Sequence, residues 1–296
     1  MAHTSRRDFL KTGIAATMLG GLGGLPASAA VKRSATDWVT LGRSGIKVTR
    51  LALGTGTFSG RVQRELGQEG FNRLVRYAYD NGVRFFETAQ SYGGMHQMLG
   101  IALKDLPRDS YRLMTKMTVR PDTDATAMID KFRTDMQTDY FDILLLHYMH
   151  NPTWATDLGR QQDEFSEAKS KKVILSKGAS VHGLPTLRTF PGNKWLDIAM
   201  IRMNHKGTKM DAERFDTNGL GDIDEVVQHT KQVHSQGMGV ISMKLAGEGQ
   251  FTTREDRQKS LKFAMGLGAV DAVTIGFKTT AEIDEAIANM NLALKG

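Results

Sequence analysis

Four side chains with acid, base or hydrogen-bonding chemistry follow apolar, strand-like runs in this sequence. Glu87 and Tyr92 lie in RFFETAQSYGG, Lys116 lies in LMTKM and His147 lies in LLLHYM. A phenol has a pKa of about 10, and a nearby ammonium favours the phenolate and lowers that pKa. A carboxylate can hold the lysine charged, and an imidazole can hydrogen-bond to a substrate oxygen. These residue types predict a general-acid site that protonates an oxygen while hydride reaches its carbon.

Each of these side chains alone has a simpler structural explanation, as a loop anchor, an ion-paired lysine or a hydrogen-bonded core histidine. Their common position decides between the two interpretations. All four come at or just after the ends of three successive apolar runs. Because parallel strands of one sheet would bring such ends to the same edge, the pattern favours one shared site.

Strand-like and helix-like patterns alternate along the chain and predict the fold that positions this site. A hairpin with Gly45 in its turn comes first, and the first buried strand follows near Leu51–Leu53. Eight strand-then-helix units follow, and their strands are continuous apolar runs such as ILLL. Residues 37–296 are therefore predicted to form a single α/β domain, a (β/α)8 TIM barrel preceded by a short β-hairpin. The alternative, an open doubly wound sheet, needs a G-x-G-x-x-G turn that LGTGTFSG does not match.

Further polar residues come at later strand ends of the predicted barrel. Ser180 follows the fifth strand, and Arg202 and Asn204 lie at the end of the sixth. Arg202 could clamp a cofactor or a substrate carboxylate by its charge. It could equally pair with a neighbouring carboxylate inside the barrel mouth, because buried charges are usually paired.

The runs FFETAQSYGG, LMTKM, DYFDILLLHYMHNPTW and GASVHG together resemble the aldo-keto reductases, in the order of that family. The resemblance covers roughly residues 37 to 294 and is strongest to a bacterial branch with a G-x-S-x-H loop. It implies a (β/α)8 barrel and NAD(P)H-dependent reduction of an aldehyde or ketone, or oxidation of the alcohol. Tyr92 would be the general acid and base, and Lys116 would tune its pKa. His147 would orient the substrate, and Glu87 would be the tetrad carboxylate.

The same resemblance implies residues that bind NADPH or NADH and a small carbonyl or alcohol substrate. Ser180 and Asn204 would lie near the nicotinamide carboxamide, and the loop Lys244–Gly249 would cover the pyrophosphate. The implied cofactor-binding residues are Gly54, Thr55, Gly56, Ser180, Arg202, Asn204, Lys244, Gly247, Gly249, Gly276, Lys278, Thr279 and Glu282. The implied substrate pocket is lined by Phe58, Tyr148, His150 and Trp154.

Several residues depart from the family pattern. Glu87 stands where the usual residue is Asp, which keeps the charge but moves the carboxylate by one methylene. Arg202 stands where many members have Gln, and Met243 where an aromatic ring often stacks on the nicotinamide. Lys278 is the obvious cation for a 2′-phosphate and favours NADPH over NADH. These departures motivate an alternative function, a cofactor-binding pseudoenzyme or binding protein.

A metal-dependent hydrolase on the same barrel is a further alternative, because several histidines come near the predicted rim. They are His96, His147, His150, His182 and His205. Against it, the first strand carries no His-x-His and the eighth strand ends without a carboxylate. His147 and His150 also have no third ligand at a suitable spacing, so no metal site is predicted.

The composition excludes several kinds of chemistry and partner. The 296 residues include no cysteine, which excludes disulfides, thiol nucleophiles and cysteine-ligated metals within this chain. The formal net charge is +7, but the basic residues are scattered, so nucleic-acid binding is not predicted. A hydrophobic fraction of 40% suits a chain that buries a core.

The N-terminus has the pattern of an export signal. SRRDFLK precedes a glycine-rich, mildly apolar run, and Ala27-Ser28-Ala29 supplies the small residues of a cleavage site. Residues 1–29 are therefore predicted to be a twin-arginine signal peptide, and residues 30–36 a polar linker. This interpretation implies contact with the twin-arginine export machinery, a periplasmic or other extracytoplasmic location, and no stable membrane insertion after cleavage.

Overall fold

The computed structural model describes residues 33–214 and 219–295. The predicted signal peptide lies outside these ranges, as do the first residues of the predicted linker. The described strands are β1 (Trp38–Thr40), β2 (Lys47–Thr49), β3 (Leu51–Gly54), β4 (Phe85–Glu87), β5 (Arg112–Met117), β6 (Ile143–Met149), β7 (Lys177–Val181), β8 (Ile198–Arg202), β9 (Gly239–Met243) and β10 (Ala272–Gly276).

Strands β3 to β10 pair in parallel in chain order, and β10 closes the barrel by pairing with β3. The described helices between and after them are α1 (Arg61–Arg64), α2 (Gly67–Asp80), α3 (Met95–Leu103), α4 (Ala125–Met136), α5 (Trp154–Asp157), α6 (Gly159–Ser170), α7 (Leu184–Leu187), α8 (Ile223–Ser235), α9 (Arg254–Gly266) and α10 (Thr280–Ala293). The predicted (β/α)8 barrel is confirmed.

The predicted hairpin is also confirmed, and it covers one end of the barrel. β1 and β2 pair antiparallel, and Gly45 adopts φ 70° in the turn between them. Leu41 and Val48 are fully buried and belong to the apolar cluster that fills the barrel interior. Because the hairpin closes the amino end of the strands, the carboxyl ends are left for the site.

Two apolar layers hold the fold together. One fills the inside of the barrel, and the other lies between the strands and the surrounding helices. Strands β7, β8 and β9 are buried at every position, as expected for parallel strands covered on both faces. In α2 one apolar face is buried, comprising Phe71, Leu74, Val75 and Ala78.

Ordered structure begins before the predicted domain boundary at residue 37. Ala35 is fully buried, its N–H donates to Asn291 Oδ1 at 2.8 Å, and its carbonyl accepts the Leu51 N–H at 2.9 Å. The polar composition of residues 30–36 predicted a linker. These contacts could not be predicted, because composition does not report backbone hydrogen bonds to distant elements. The end of this segment instead ties α10 to the start of β3.

None of the helices in the described ranges is long and apolar enough to cross a membrane.

Candidate active site

The four residues predicted to share a site lie together at the carboxyl end of the barrel. Glu87 ends β4, while Lys116 and His147 lie near the ends of β5 and β6. Tyr92 follows in the loop after β4, where its N–H donates to the Ala89 carbonyl at 3.1 Å. The Lys116 Nζ lies 4.9 Å from the centroid of the Tyr92 ring. The Tyr92 and His147 rings meet edge to face at 5.7 Å.

Glu87 and Lys116 form a buried ion pair beneath Tyr92. Their exposed fractions are 2% and 1%, so each charge depends on the other for compensation. The second carboxylate oxygen of Glu87 accepts the Thr274 hydroxyl at 3.1 Å, and Lys116 also donates to the Thr88 carbonyl at 3.0 Å. These bonds hold the ammonium under the phenol ring.

Burial reinforces the protonated state of Tyr92. The ring is half-buried, and removal from water raises the pKa of its hydroxyl well above the ordinary value. The nearby ammonium was predicted to lower this pKa, and burial shifts it in the opposite direction. Burial, and then the charge of Lys244, also lower the pKa of Lys116. Tyr92 is therefore a protonated phenol at neutral pH, as a proton donor must be.

His147 is held as a neutral imidazole. Its Nδ1 lies 3.2 Å from the Ser91 hydroxyl. Burial, and then the positive charges of Lys116 and Lys244, lower the pKa of His147 well below its ordinary value. A neutral imidazole can donate or accept one hydrogen bond at each nitrogen according to its tautomer.

A cavity of about 460 Å³ extends from Tyr92 and Glu87 to the beginning of α10. This volume is typical of small-molecule and cofactor sites. The predicted residues that line it are Glu87, Tyr92, Gly54, Gly56, Phe58, Lys244, Gly249, Gly276, Lys278 and Glu282. Lys116 and His147 adjoin it from below and beside Tyr92.

Three glycines shape the wall of this cavity. A Cβ on Gly56 would lie 2.7 Å from the Tyr92 hydroxyl, and a Cβ on Gly54 would lie 2.9 Å from the Glu87 carboxylate. A Cβ on Gly276 would collide with the Thr57 hydroxyl. A larger residue at any of the three would displace a neighbour and narrow the cavity.

The loop after β9 places charges on the opposite wall. Lys244 forms an ion pair with Glu248, and Glu248 also accepts the Phe58 N–H at 3.0 Å. Lys244 and Glu248 both have left-handed backbone, with φ 65° and φ 57°. Burial, followed by the charges of Arg202 and Lys209, lowers the pKa of Lys244 to about 8.

At the far end of the cavity, Thr279 and Glu282 cap α10. The Thr279 hydroxyl accepts the Glu282 N–H at 3.3 Å, and the Glu282 carboxylate accepts the N–H groups of Lys278 and Thr279 at 2.6 and 3.4 Å. Both side chains are thus used within the helix start. Arg257 and Glu285 form a two-pronged ion pair beside them, with 2.6 and 2.9 Å bonds.

Thr279 does not line the cavity, and neither do four other predicted cofactor residues, which have local structural contacts. The Ser180 hydroxyl accepts the Tyr148 N–H at 2.8 Å, and the Thr55 hydroxyl donates to the Glu87 carbonyl at 3.1 Å. Asn204 is fully buried and bonds within its own loop, for example to the Thr208 carbonyl at 2.7 Å. The fourth, Gly247, is buried in the loop after β9.

Arg202 is ion-paired and does not line the cavity. Its guanidinium donates to Asp211 Oδ1 at 2.5 and 3.0 Å, and both side chains are almost completely buried. Of the two possibilities left open by the sequence, the structure has the paired arginine. Asp211 comes from the loop after β8, so no spacing in the sequence identified it as the partner.

The predicted substrate pocket is only partly assembled. Phe58 lines the cavity with 47% of its surface exposed. Tyr148 and His150 are not among the residues that line the cavity, and they form a cluster with His182, whose ring is 4.3 Å from that of Tyr148. The prediction for Trp154 is wrong, because this residue is 2% exposed and packs in the outer core. Its apolar ring is buried under the helices, and its indole N–H donates to the Thr189 hydroxyl at 2.9 Å.

Within residues 33–214 and 219–295, the histidines and carboxylates form no group of three or more that could hold a metal ion.

Three further residues, which no sequence pattern had indicated, contact the predicted ones. Ser91 lies inside the quoted stretch before Tyr92 and bonds His147. Thr274 reaches Glu87 from β10, and its position one strand-period before Gly276 could have indicated an inward side chain. Glu248 lies between two glycines of the loop after β9, where an acid gave no signal without the geometry.

Comparisons with known proteins agree with this arrangement. The aldo/keto reductase family profile matches residues 50–291. Probable aldo-keto reductase 1 from Glycine max is 27% identical over 158 residues, which are 48% of this chain and 45% of that protein. L-galactose dehydrogenase from Arabidopsis thaliana is 34% identical over 117 residues, 36% of each chain. The chain thus spans less than half the length of these curated relatives in the matched regions.

Solved structures share the fold. A Pseudomonas aeruginosa chain assigned to the aldo-keto reductases superposes with a TM-score of 0.70 and 19% identity, covering 90% of this chain and 99% of that one. The holo form of an aldo-keto reductase from Bacillus halodurans gives 0.66 and 14% identity, covering 87% and 95%. At these identities the likeness concerns the barrel alone. Because the family profile spans most of the sequence, the chain belongs to the aldo/keto reductase family.

Proposed function

We propose that this protein reduces an aldehyde or ketone, or oxidises the corresponding alcohol, using NADPH or NADH and Tyr92 as general acid and base. One observation carries the proposal. The phenol of Tyr92 lines a cavity of about 460 Å³, with the His147 ring edge to face against its ring and the Lys116 ammonium under it. A proton donor and an oxygen-binding imidazole are thus available to one reacting group.

The residues around the cavity fit a dinucleotide. Gly54, Gly56 and Gly276 let Glu87, Tyr92 and Thr57 pack close against the backbone of the wall, which keeps the cavity open, and Lys244 offers an ammonium to phosphate oxygens. When bound, the nicotinamide supplies the hydride. Met243, together with Met200, lines the barrel end of the cavity and offers an apolar surface to a flat ring. Lys278 is exposed at the other end, where it favours NADPH as the reductant.

In the proposed reduction, Tyr92 donates its phenolic proton to the carbonyl oxygen as the carbon accepts hydride. His147 holds that oxygen by a hydrogen bond from its neutral ring. Lys116 stabilises the phenolate left on Tyr92, and Glu87 keeps Lys116 charged and in place. Oxidation of an alcohol would run these proton transfers in reverse.

Dinucleotide binding and turnover test the proposal together. The chain from Ala30 onward should bind NADPH or NADH saturably, seen by tryptophan fluorescence and by a higher unfolding temperature. Tyr92→Phe should keep that binding and lower kcat by about 10²–10⁴-fold on any carbonyl substrate found by screening. Equal turnover by the Phe variant would exclude Tyr92 as the proton donor.

The same experiment separates the proposal from the alternative functions. Binding without turnover on a broad set of aldehydes and ketones would favour a cofactor-binding protein that has lost catalysis. No binding of either dinucleotide would refute the oxidoreductase proposal. Stoichiometric metal in the purified protein, with hydrolytic activity, would instead favour the hydrolase.

We also propose that residues 1–29 direct export by the twin-arginine route and that the barrel acts outside the cytoplasm. The support is the SRRDFLK motif with the following apolar run and Ala27-Ser28-Ala29. Replacing Arg6 and Arg7 by Lys should retain the protein in the cytoplasm of a host with this export system. Cell fractionation measures the distribution, and unchanged export of the variant would refute the signal.

A further inference from the structure

The proposed reaction does not explain the position of Glu248 in the cavity wall. Its carboxylate lines the cavity, pairs with the Lys244 ammonium and accepts the Phe58 N–H at 3.0 Å. The Lys244 ammonium is a cation and the Phe58 N–H is a hydrogen-bond donor, and the two lie on different loops. The Glu248 carboxylate is therefore the shared partner of the Lys244 ammonium and the Phe58 N–H.

The shape of the loop does not depend on this carboxylate. Gly247 donates its N–H to the Lys244 carbonyl at 2.9 Å, and Gly249 donates to the Ala246 carbonyl at 3.0 Å. These backbone bonds already close the turn. Glu248 moreover adopts φ 57°, a left-handed conformation that costs a residue with a Cβ and that its two glycine neighbours adopt more readily.

The charge of Glu248 opposes the ligand proposed for this cavity. A dinucleotide carries at least two phosphate charges, and a cavity wall that binds it is expected to present donors and cations. Lys244 is such a cation, with 26% of its side chain exposed, but it faces a carboxylate whose side chain is only 16% exposed. An incoming phosphate must displace that carboxylate or accept repulsion from it.

We propose that Glu248 is an affinity-determining residue of the dinucleotide site, an internal anion that competes with the phosphates for Lys244 and the Phe58 N–H. This inference rests on the proposed function. Because of this carboxylate, the site should bind NADPH and NADH more weakly and release both faster. The effect falls on phosphate-bearing ligands, because the competition is for groups that bind anions.

Glu248→Gln isolates the charge, since an amide oxygen can still accept the Phe58 N–H. The variant should bind NADH and NADPH about three- to tenfold more tightly than the wild type at low salt. The gain should shrink as ionic strength rises. Glu255→Gln is the matched control, because Glu255 has 74% of its side chain exposed and pairs only at the surface with Lys259. Calorimetric titration of the chain from Ala30 onward measures all three proteins.

The direction in which Glu248→Gln changes dinucleotide affinity decides whether Glu248 competes with the phosphates. Unchanged or weaker binding by Glu248→Gln, with wild-type binding intact, overturns this inference and leaves the proposed function standing. Weaker binding would mean that the carboxylate clamps the loop over the ligand. No binding by the wild type or either variant overturns both. Glu248→Gly, suited to the left-handed backbone, gives the same test should the Gln variant unfold, and a missing gain there refutes the competition.

Discussion

At the scale of single residues, charges around the barrel mouth are compensated in pairs. The three pairs are Glu87 with Lys116, Arg202 with Asp211, and Lys244 with Glu248. In the first two pairs both partners are nearly inaccessible to water. Removing one member of such a pair leaves the other charge without solvent or counter-charge, which costs far more than losing a surface ion pair.

Glu87→Gln should destabilise the fold because it leaves the Lys116 ammonium buried beside a neutral amide. The free energy of unfolding in urea should fall by about 3–5 kcal/mol. Adding Lys116→Met to this variant should recover a large part of the loss. Glu65→Gln is the control, since Glu65 is 56% exposed in its ion pair with Arg61, and it should change stability by less than about 1 kcal/mol. A loss no larger than that of the control would contradict the prediction.

His96 should make stability depend on pH. Burial lowers its pKa to about 4, whereas an unfolded histidine titrates at about 6.5. The unfolded chain therefore binds more protons below pH ~6.5, so this stability is complete above that value and is lost as pH falls towards 4. The contribution lost between pH 7.5 and 5 is ~2 kcal/mol.

Urea unfolding at pH 7.5 and 5 checks this titration. His96→Gln should lose about 2 kcal/mol less than the wild type between the two values, even though it gives up a 2.7 Å bond to the Thr115 hydroxyl. Parallel pH dependence in the wild type and the His96 variant would show that His96 is not the titrating group.

At the scale of elements, α3 and α4 approach each other closely at a glycine. Gly100 in α3 lies against the backbone of Met136 at the end of α4, and a Cβ there would come within 2.8–2.9 Å of that backbone. A backbone neighbour cannot rotate away as a side chain can. The close approach of α3 and α4 thus depends on this glycine.

Gly100→Ala should lower the free energy of unfolding by about 1–3 kcal/mol, because the two helices must separate to admit the methyl group. Gly266→Ala is the matched control in α9, where nothing lies within 4 Å of the added Cβ. There the better helix propensity of alanine should leave stability equal or raise it by up to about 1 kcal/mol. Denaturant midpoints measure both, and similar midpoints for the two variants would refute the packing explanation.

At the scale of the whole molecule, distant parts of the chain complete the barrel. The Thr274 hydroxyl on β10 supports Glu87 on β4 across 187 positions, and Asn291 at the end of α10 accepts the Ala35 N–H across 256 positions. The second contact means that the barrel includes residues before the predicted boundary at 37.

Truncation should show where the folded unit begins. The free energy of unfolding of a chain starting at Asp37 should be about 1–3 kcal/mol lower than that of a chain starting at Ala30. The shorter chain lacks the buried Ala35 and the two hydrogen bonds that its backbone makes. Thermal and urea unfolding of the two purified chains make the comparison. Equal stability would place residues 33–36 outside the cooperative unit.

The sequence by itself determined the barrel, the hairpin and the strand ends that carry Glu87, Lys116 and His147. Hydrophobic periodicity states which residues face inward, and the order of the strands in a parallel barrel then follows from the order of the chain. For the same reason the shared position of these side chains with Tyr92 could be predicted.

Only the tertiary structure decided the partners and the local dielectric environment. Asp211 pairs with Arg202, Glu248 pairs with Lys244, and burial raises the pKa of Tyr92 although an ammonium lies under its ring. The tertiary structure also places Trp154 in the outer core, where the residue is buried. Desolvation and ion pairing depend on which side chains from separate loops come within a few ångströms of each other, and no spacing along one chain encodes that distance.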